Sequence, residues 1–89
     1  MPRVVFTPQL QRFTATPEVQ TDATVLRHAL DAAFAVNPRL RGYVLDDQAH
    51  VRANVVIFID GARCDERRRL DQALQPDSTV HVLQALSGG

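Results

Sequence analysis

The sequence predicts a small α+β domain in two layers, a mixed β-sheet packed on one main helix. Three observations predict it. The chain has 89 residues, which suits one domain and leaves no room for a second core. One stretch alone, Val25–Val36, repeats its apolar residues with a helical period. Short runs rich in β-branched residues lie on both sides of it, and strands arranged around a single helix pack as a sheet with one covered face.

The elements follow in order. Val4-Val5-Phe6-Thr7 is β-branched and aromatic and reads as a first strand. Pro8 follows, and Leu10 and Phe13 punctuate a polar stretch. Thr14–Pro17 reads as a turn and Glu18-Val19-Gln20 as a short second strand. Asp22 or Thr24 offers a helix N-cap, since a carboxylate or hydroxyl there accepts from the free N–H groups of the first turn. Leu26, Ala29, Leu30, Ala33 and Phe34 then form one apolar face, with Arg27, His28 and Asp31 away from it. Asn37-Pro38 ends the helix, because proline disfavours α conformation in the residue before it.

Leu40–Leu45 reads as a strand interrupted by Gly42, and Asp46–His50 as a polar turn. Val51–Asp60 is the strongest strand. Its odd positions, Val51, Ala53, Val55, Ile57 and Ile59, are expected in the core, and Val56 and Phe58 on the opposite face. Asp60-Gly61 is a turn signal. In the charged Cys64–Leu74 segment, Leu70 and Leu74 are spaced to anchor a helical turn. After a turn at Pro76-Asp77-Ser78, Thr79–Leu83 is the last strand, with Val80 and Val82 inward. The first and last strands are placed to pair centrally. Residues 1–84 are expected to form the globule and 85–89 an extended tail.

Composition narrows the function. Hydrophobic residues are 45% and charged residues 22%, an ordinary globular balance. Ten Arg offset ten Asp plus Glu, for zero net charge, which argues against nucleic-acid or anionic-membrane binding. There is no Lys, so Schiff-base and P-loop chemistry lack their amine. One Cys gives no internal disulfide framework. The N-terminal apolar run is too short for a signal peptide, and no stretch approaches the roughly 20 apolar residues of a membrane helix. A cytoplasmic domain is expected. His28, His50 and His81 are scattered without ligand spacing, so no metal site is expected. Asp65-Glu66 should raise the Cys64 thiol pKa and oppose its activation. Arg67-Arg68-Arg69 reads as a solvated turn. No catalytic side chain is found, and the chain is not expected to be an enzyme.

The most informative feature is Gly88-Gly89, directly after a strand. Glycine lacks Cβ, so it enters a narrow channel and takes dihedrals other residues cannot. A terminal glycine carboxylate is unhindered toward an activating phosphate and a later nucleophile. The residues after Leu83 reach about 20 Å when extended, enough to enter a partner enzyme while the globule stays outside.

This pattern resembles the ubiquitin-like β-grasp fold, and within it the sulfur carriers, the family of the molybdopterin-synthase small subunit and the thiamine-pathway sulfur carrier. Val51–Gly61 is similar to that family's hydrophobic strand ending at an Asn/Asp-Gly turn. Leu74–Leu83 resembles its segment of a Leu, a Gly-Asp turn and a Val-rich strand, with Pro76-Asp77 where Gly-Asp is common. Ala85-Leu86-Ser87-Gly88-Gly89 resembles its tail, with Gln84 where the family often has Pro. The resemblance spans nearly the whole chain; its specific part is the last fifteen or so residues.

The resemblance implies a cycle with three partners. An E1-like adenylating enzyme uses ATP on the Gly89 carboxylate. A sulfur donor, usually a persulfide, displaces AMP and leaves a thiocarboxylate. A sulfur-accepting biosynthetic enzyme then takes the sulfur. The carrier binds no cofactor of its own. Gly89 would carry the sulfur, Gly88 would allow the slender approach, and Ala85, Leu86 and Ser87 would thread the partner. Val56, Phe58 and Leu83 would form an outward docking face, since the family's position matching Leu83 contacts partner enzymes. Two other readings stay open. A protein modifier would conjugate Gly89 to amines on targets, and a β-grasp interaction module would bind partners without using its tail.

Overall fold

An early and a late strand meet at the centre of the sheet in the computed structural model, which describes residues 1–16 and 18–84. The strands are β1 (Arg3–Phe6), β2 (Val19–Gln20), β3 (Val55–Ile59), β4 (Ala62–Cys64) and β5 (Thr79–Gln84). The helices are α1 (Leu26–Val36) and α2 (Arg39–Val44), with a 3₁₀ turn at Pro8–Arg12. The sheet runs β2-β1-β5-β3-β4. β1 and β5 are parallel, Val4 opposite Val80 and Phe6 opposite Val82, and the other pairs are antiparallel. The central pairing expected of the first and last strands is present.

The covered face packs on α1 as the period of its sequence requires. Leu26, Ala29, Leu30, Ala33 and Phe34 are its buried residues, and they meet Val4, Phe6, Val55, Ile57, Val80 and Val82 from the sheet.

Four expectations are corrected. Leu40–Leu45 is not a strand; most of it is α2. Leu40 and Val44 are both buried, a four-residue spacing that a helix places on one face. Pro38 already has helical dihedrals, φ −59 and ψ −23, so it opens the turn.

The Val51–Asp60 strand starts only at Val55, where pairing with β5 begins opposite Gln84. Val51 is buried in an isolated bridge to Leu45. Ala53 lies in a turn and is exposed, not core. The backbone N–H groups before Val55 go elsewhere, Val51 to Arg67 O (2.9 Å) and Arg52 to Val44 O (3.0 Å).

The Cys64–Leu74 segment forms no helical turn. Its start belongs to β4, which returns from a two-residue turn with positive φ at Asp60 (53°) and Gly61 (84°). That geometry matches the twist of a hairpin. Leu70 and Leu74 are still buried anchors.

Neither Asp22 nor Thr24 caps α1. The N-cap is Val25, without a side-chain cap bond. Instead, the loop from Leu70 to Gln72 supplies the acceptors. Leu26 N–H donates to Gln72 O (3.0 Å) and Arg27 N–H to Leu70 O (2.7 Å). A distant backbone segment satisfies the orphan donors that a side chain usually meets.

Candidate functional site

β5 is held on both sides to its end. Val55 lies opposite Gln84 on β3. On the β1 side, Gln84 N–H donates to Thr7 Oγ1 (3.2 Å) and Thr7 N–H donates to Val82 O (3.0 Å). A central strand paired this way is a rigid base for whatever chain follows. Ala85, Leu86, Ser87, Gly88 and Gly89 lie outside the described residues.

The face of the sheet away from α1 carries the other candidates. Val56 and Leu83 are direct cross-strand partners, close enough for their side chains to interact. Phe58 is the next outward residue of β3, paired with His81 on one side and Arg63 on the other. Val56, Phe58 and Leu83 are half-buried, and His81 and Arg63 are exposed. The alternating period therefore brings the three expected residues together on one face. Val5, opposite His81 on β1, extends it. Arg63 was not legible as a neighbour, because its position depends on β4. The Cys64–Leu74 segment does not cover this face: Leu70 and Leu74 join the core with α1, on the other side of the sheet.

The remaining reactive groups have structural roles. Cys64 donates its thiol to Glu66 O (3.4 Å). Burial pushes that thiol up, and the Glu66 and Asp65 charges add to the shift. The direction is the expected one, but burial is the larger cause. Glu66 accepts backbone N–H bonds from Arg68 (2.8 Å), Arg69 (2.9 Å) and Leu70 (2.7 Å). These bonds hold its carboxyl down to about 2. The arginine run is only partly a solvated turn. Arg67 donates its guanidinium to Arg52 O (2.6 Å) and ties that loop down, while Arg68 and Arg69 are exposed. Asp46 organises the polar turn as read, accepting from Gln48 N–H (2.9 Å) and His50 N–H (3.1 Å). Among the described residues, no three His, Cys, Asp or Glu are grouped to hold a metal ion. Among them also, no helix is long and apolar enough to cross a membrane.

No protein-family model and no curated protein matches the chain in sequence. Solved structures match it in shape over 94% to 100% of its length. SAMP1, the small archaeal modifier protein 1 of Haloferax volcanii, superposes with TM-score 0.77 at 20% identity, over 99% of this chain and 98% of that one. A chain of the Amycolatopsis orientalis BexX/CysO complex matches with TM-score 0.75 at 15% identity, over 100% of this chain and 100% of that one. Urm1 of Sulfolobus solfataricus matches with TM-score 0.66 at 18% identity, over 94% of this chain and 100% of that one. The fold is the ubiquitin-like β-grasp.

Proposed function

We propose that this chain is a ubiquitin-like sulfur carrier, a protein cosubstrate acting in the cytoplasm. The observation that carries the reading is Gly88-Gly89, separated by three residues from the end of a central β-grasp strand anchored on both sides. In the proposed cycle, the Gly89 carboxylate attacks the α-phosphate of ATP on an E1-like enzyme and pyrophosphate leaves. A persulfide sulfur then attacks the acyl adenylate and AMP leaves. A thiol reduces the resulting acyl disulfide, leaving a C-terminal thiocarboxylate for the accepting enzyme. Val56, Phe58 and Leu83 dock the globule while Ala85, Leu86 and Ser87 thread the channel. ATP is the activating enzyme's substrate, and the carrier supplies no catalytic side chain.

A second reading has its own support. Structural neighbours from two organisms are named modifier proteins, and a modifier would use the same adenylate to acylate amines on targets.

The test is the intact mass of the untagged chain from its own host, before and after a thiol-directed alkylating label. A sulfur carrier shows the oxygen-to-sulfur increment and takes a label at the C-terminus, separable from Cys64 by fragmentation. Gly89 joined to target amines instead identifies a modifier. A free carboxylate that forms no adenylate with ATP and the E1-like enzyme overturns both readings and leaves an interaction module.

A further inference from the structure

A cleft lies between the Gln11–Thr16 segment and the Val36–Arg39 turn, lined by Thr14, Thr16, Val36, Asn37 and Arg39. It adjoins the end of the molecule from which the tail departs. Thr7 bonds Gln84, Leu10 N–H donates to Thr7 O (3.2 Å), and Thr14 N–H donates to Leu10 O (3.1 Å). Asn37 Nδ2 then donates to Thr14 Oγ1 (2.8 Å) and Ala15 O (2.7 Å), closing the cleft onto the end of α1. At about 2 Å of rise per residue, the 3₁₀ turn sets the cleft within roughly 15 Å of Thr7.

The surface here is unusual for this chain. Among the described residues, the exposed large hydrophobics are Met1, Phe13 (51% exposed) and Val36 (60%); Val36 lines this cleft, and Phe13 directly precedes Thr14, which also lines it. Phe13 is held in place by stacking on Tyr43, with ring centroids 5.8 Å apart. Arg39 is exposed, and neither ion pair found among the described residues involves it. No carboxylate lines the cleft. An apolar rim beside an unneutralised guanidinium complements an acidic, partly apolar surface.

Resting on the carrier reading above, tail length decides what meets this surface. Residues 85–89 span about 17 Å when extended. An enzyme that draws Gly89 into its active site has to sit against the end of the globule where the cleft opens. We propose that the cleft is a second docking site for the activating enzyme, distinct from the sheet face. It takes a protruding segment of that enzyme, with an apolar side chain against Val36 and a carboxylate against Arg39.

The experiment is steady-state adenylation of the full chain by the E1-like enzyme of the same organism, followed by pyrophosphate release. Val36→Gln removes the apolar contact and Arg39→Glu reverses the charge; both sites are exposed, and thermal melts confirm folding. Each is expected to raise the KM for the carrier about tenfold with kcat within twofold, the signature of lost docking. Asp77→Arg, an exposed change before β5 at the opposite end, should leave KM within twofold. A KM within twofold of wild type for both cleft variants overturns the proposal while leaving the carrier reading intact. An equal shift from Asp77→Arg overturns it too, since general charge would then explain the effect. Failure of the wild-type chain to be adenylated overturns the carrier reading, and this proposal with it.

Discussion

Glu66 and Arg27 organise the longest irregular segment of the domain from either side. Arg27 donates its guanidinium to Arg68 O (2.6 Å) and Arg69 O (3.1 Å), while Glu66 gathers the N–H groups of the same turn. The Glu66 carboxyl is lowered from 4.5 to about 2, chiefly by the backbone bond from Arg69. A depressed carboxyl stabilises the fold fully above its unfolded value. That contribution fades as pH falls from about 4.5 toward about 2. Glu66→Gln should therefore lower the melting temperature at pH 7 and narrow its gap to wild type by pH 2.5, as thermal melts across that range would register. A constant gap would refute the linkage. Arg27→Lys keeps the charge but replaces a fork by one ammonium, and should cost about 1–2 kcal/mol in urea unfolding. The sequence shows Glu66 only as a neighbour of Cys64. Its role depends on Leu70, held at φ 55°, and on Arg27, which pairing across the fold brings close.

Helix α1 was legible because its period is long and its apolar face unbroken. Its cap was not, because the acceptors come from Leu70 and Gln72, which no local pattern reveals. α2 was misread because Leu40 to Leu45 is short, and Gly42 suggested a broken strand. Gly42 lies inside α2 with open space where a Cβ would stand. Gly42→Ala should then stabilise the domain by about 1 kcal/mol. Gly61 has similar room but φ 84°, so Gly61→Ala should destabilise by about 1–2 kcal/mol through strain. Opposite signs for two glycines with equal space would separate helix from hairpin turn. Denaturant midpoints decide it, and a destabilising Gly42→Ala would count against α2. Leu70 is fully buried, and Leu70→Ala should cost about 2–5 kcal/mol and loosen the start of α1. Hydrogen exchange at Leu26 and Arg27 would show that loosening.

Across the whole molecule, the alternation of β3 separates the residues that hold the core from the outward face proposed for docking. Ile57 is 2% exposed and faces α1, whereas Phe58 faces away. Ile57→Asp should abolish cooperative unfolding, because it buries an unpaired charge. On the proposed carrier reading, Phe58→Asp should leave a folded domain that an E1-like enzyme no longer engages. A Phe58→Asp chain adenylated at the wild-type rate would remove the sheet face from the docking model. This phase was readable from the sequence, as were the helix face and the central pairing. The outward neighbours Arg63 and Val5 were not assembled, because register between strands is a property of the closed sheet.

That closure has a consequence for when the chain becomes usable. β5 is the last strand in chain order, yet it alone joins β1 to β3. Until it arrives, β1–β2 and β3–β4 are two separate hairpin pairs without a common sheet. Joining Phe6 to Val82 closes a very long loop, the step that slows folding in non-local topologies. The strand that completes folding is also the one that leads into Gly88-Gly89. An enzyme that reads the docking face together with the tail would thus pass over unfinished chains, and activation would double as an inspection of the fold.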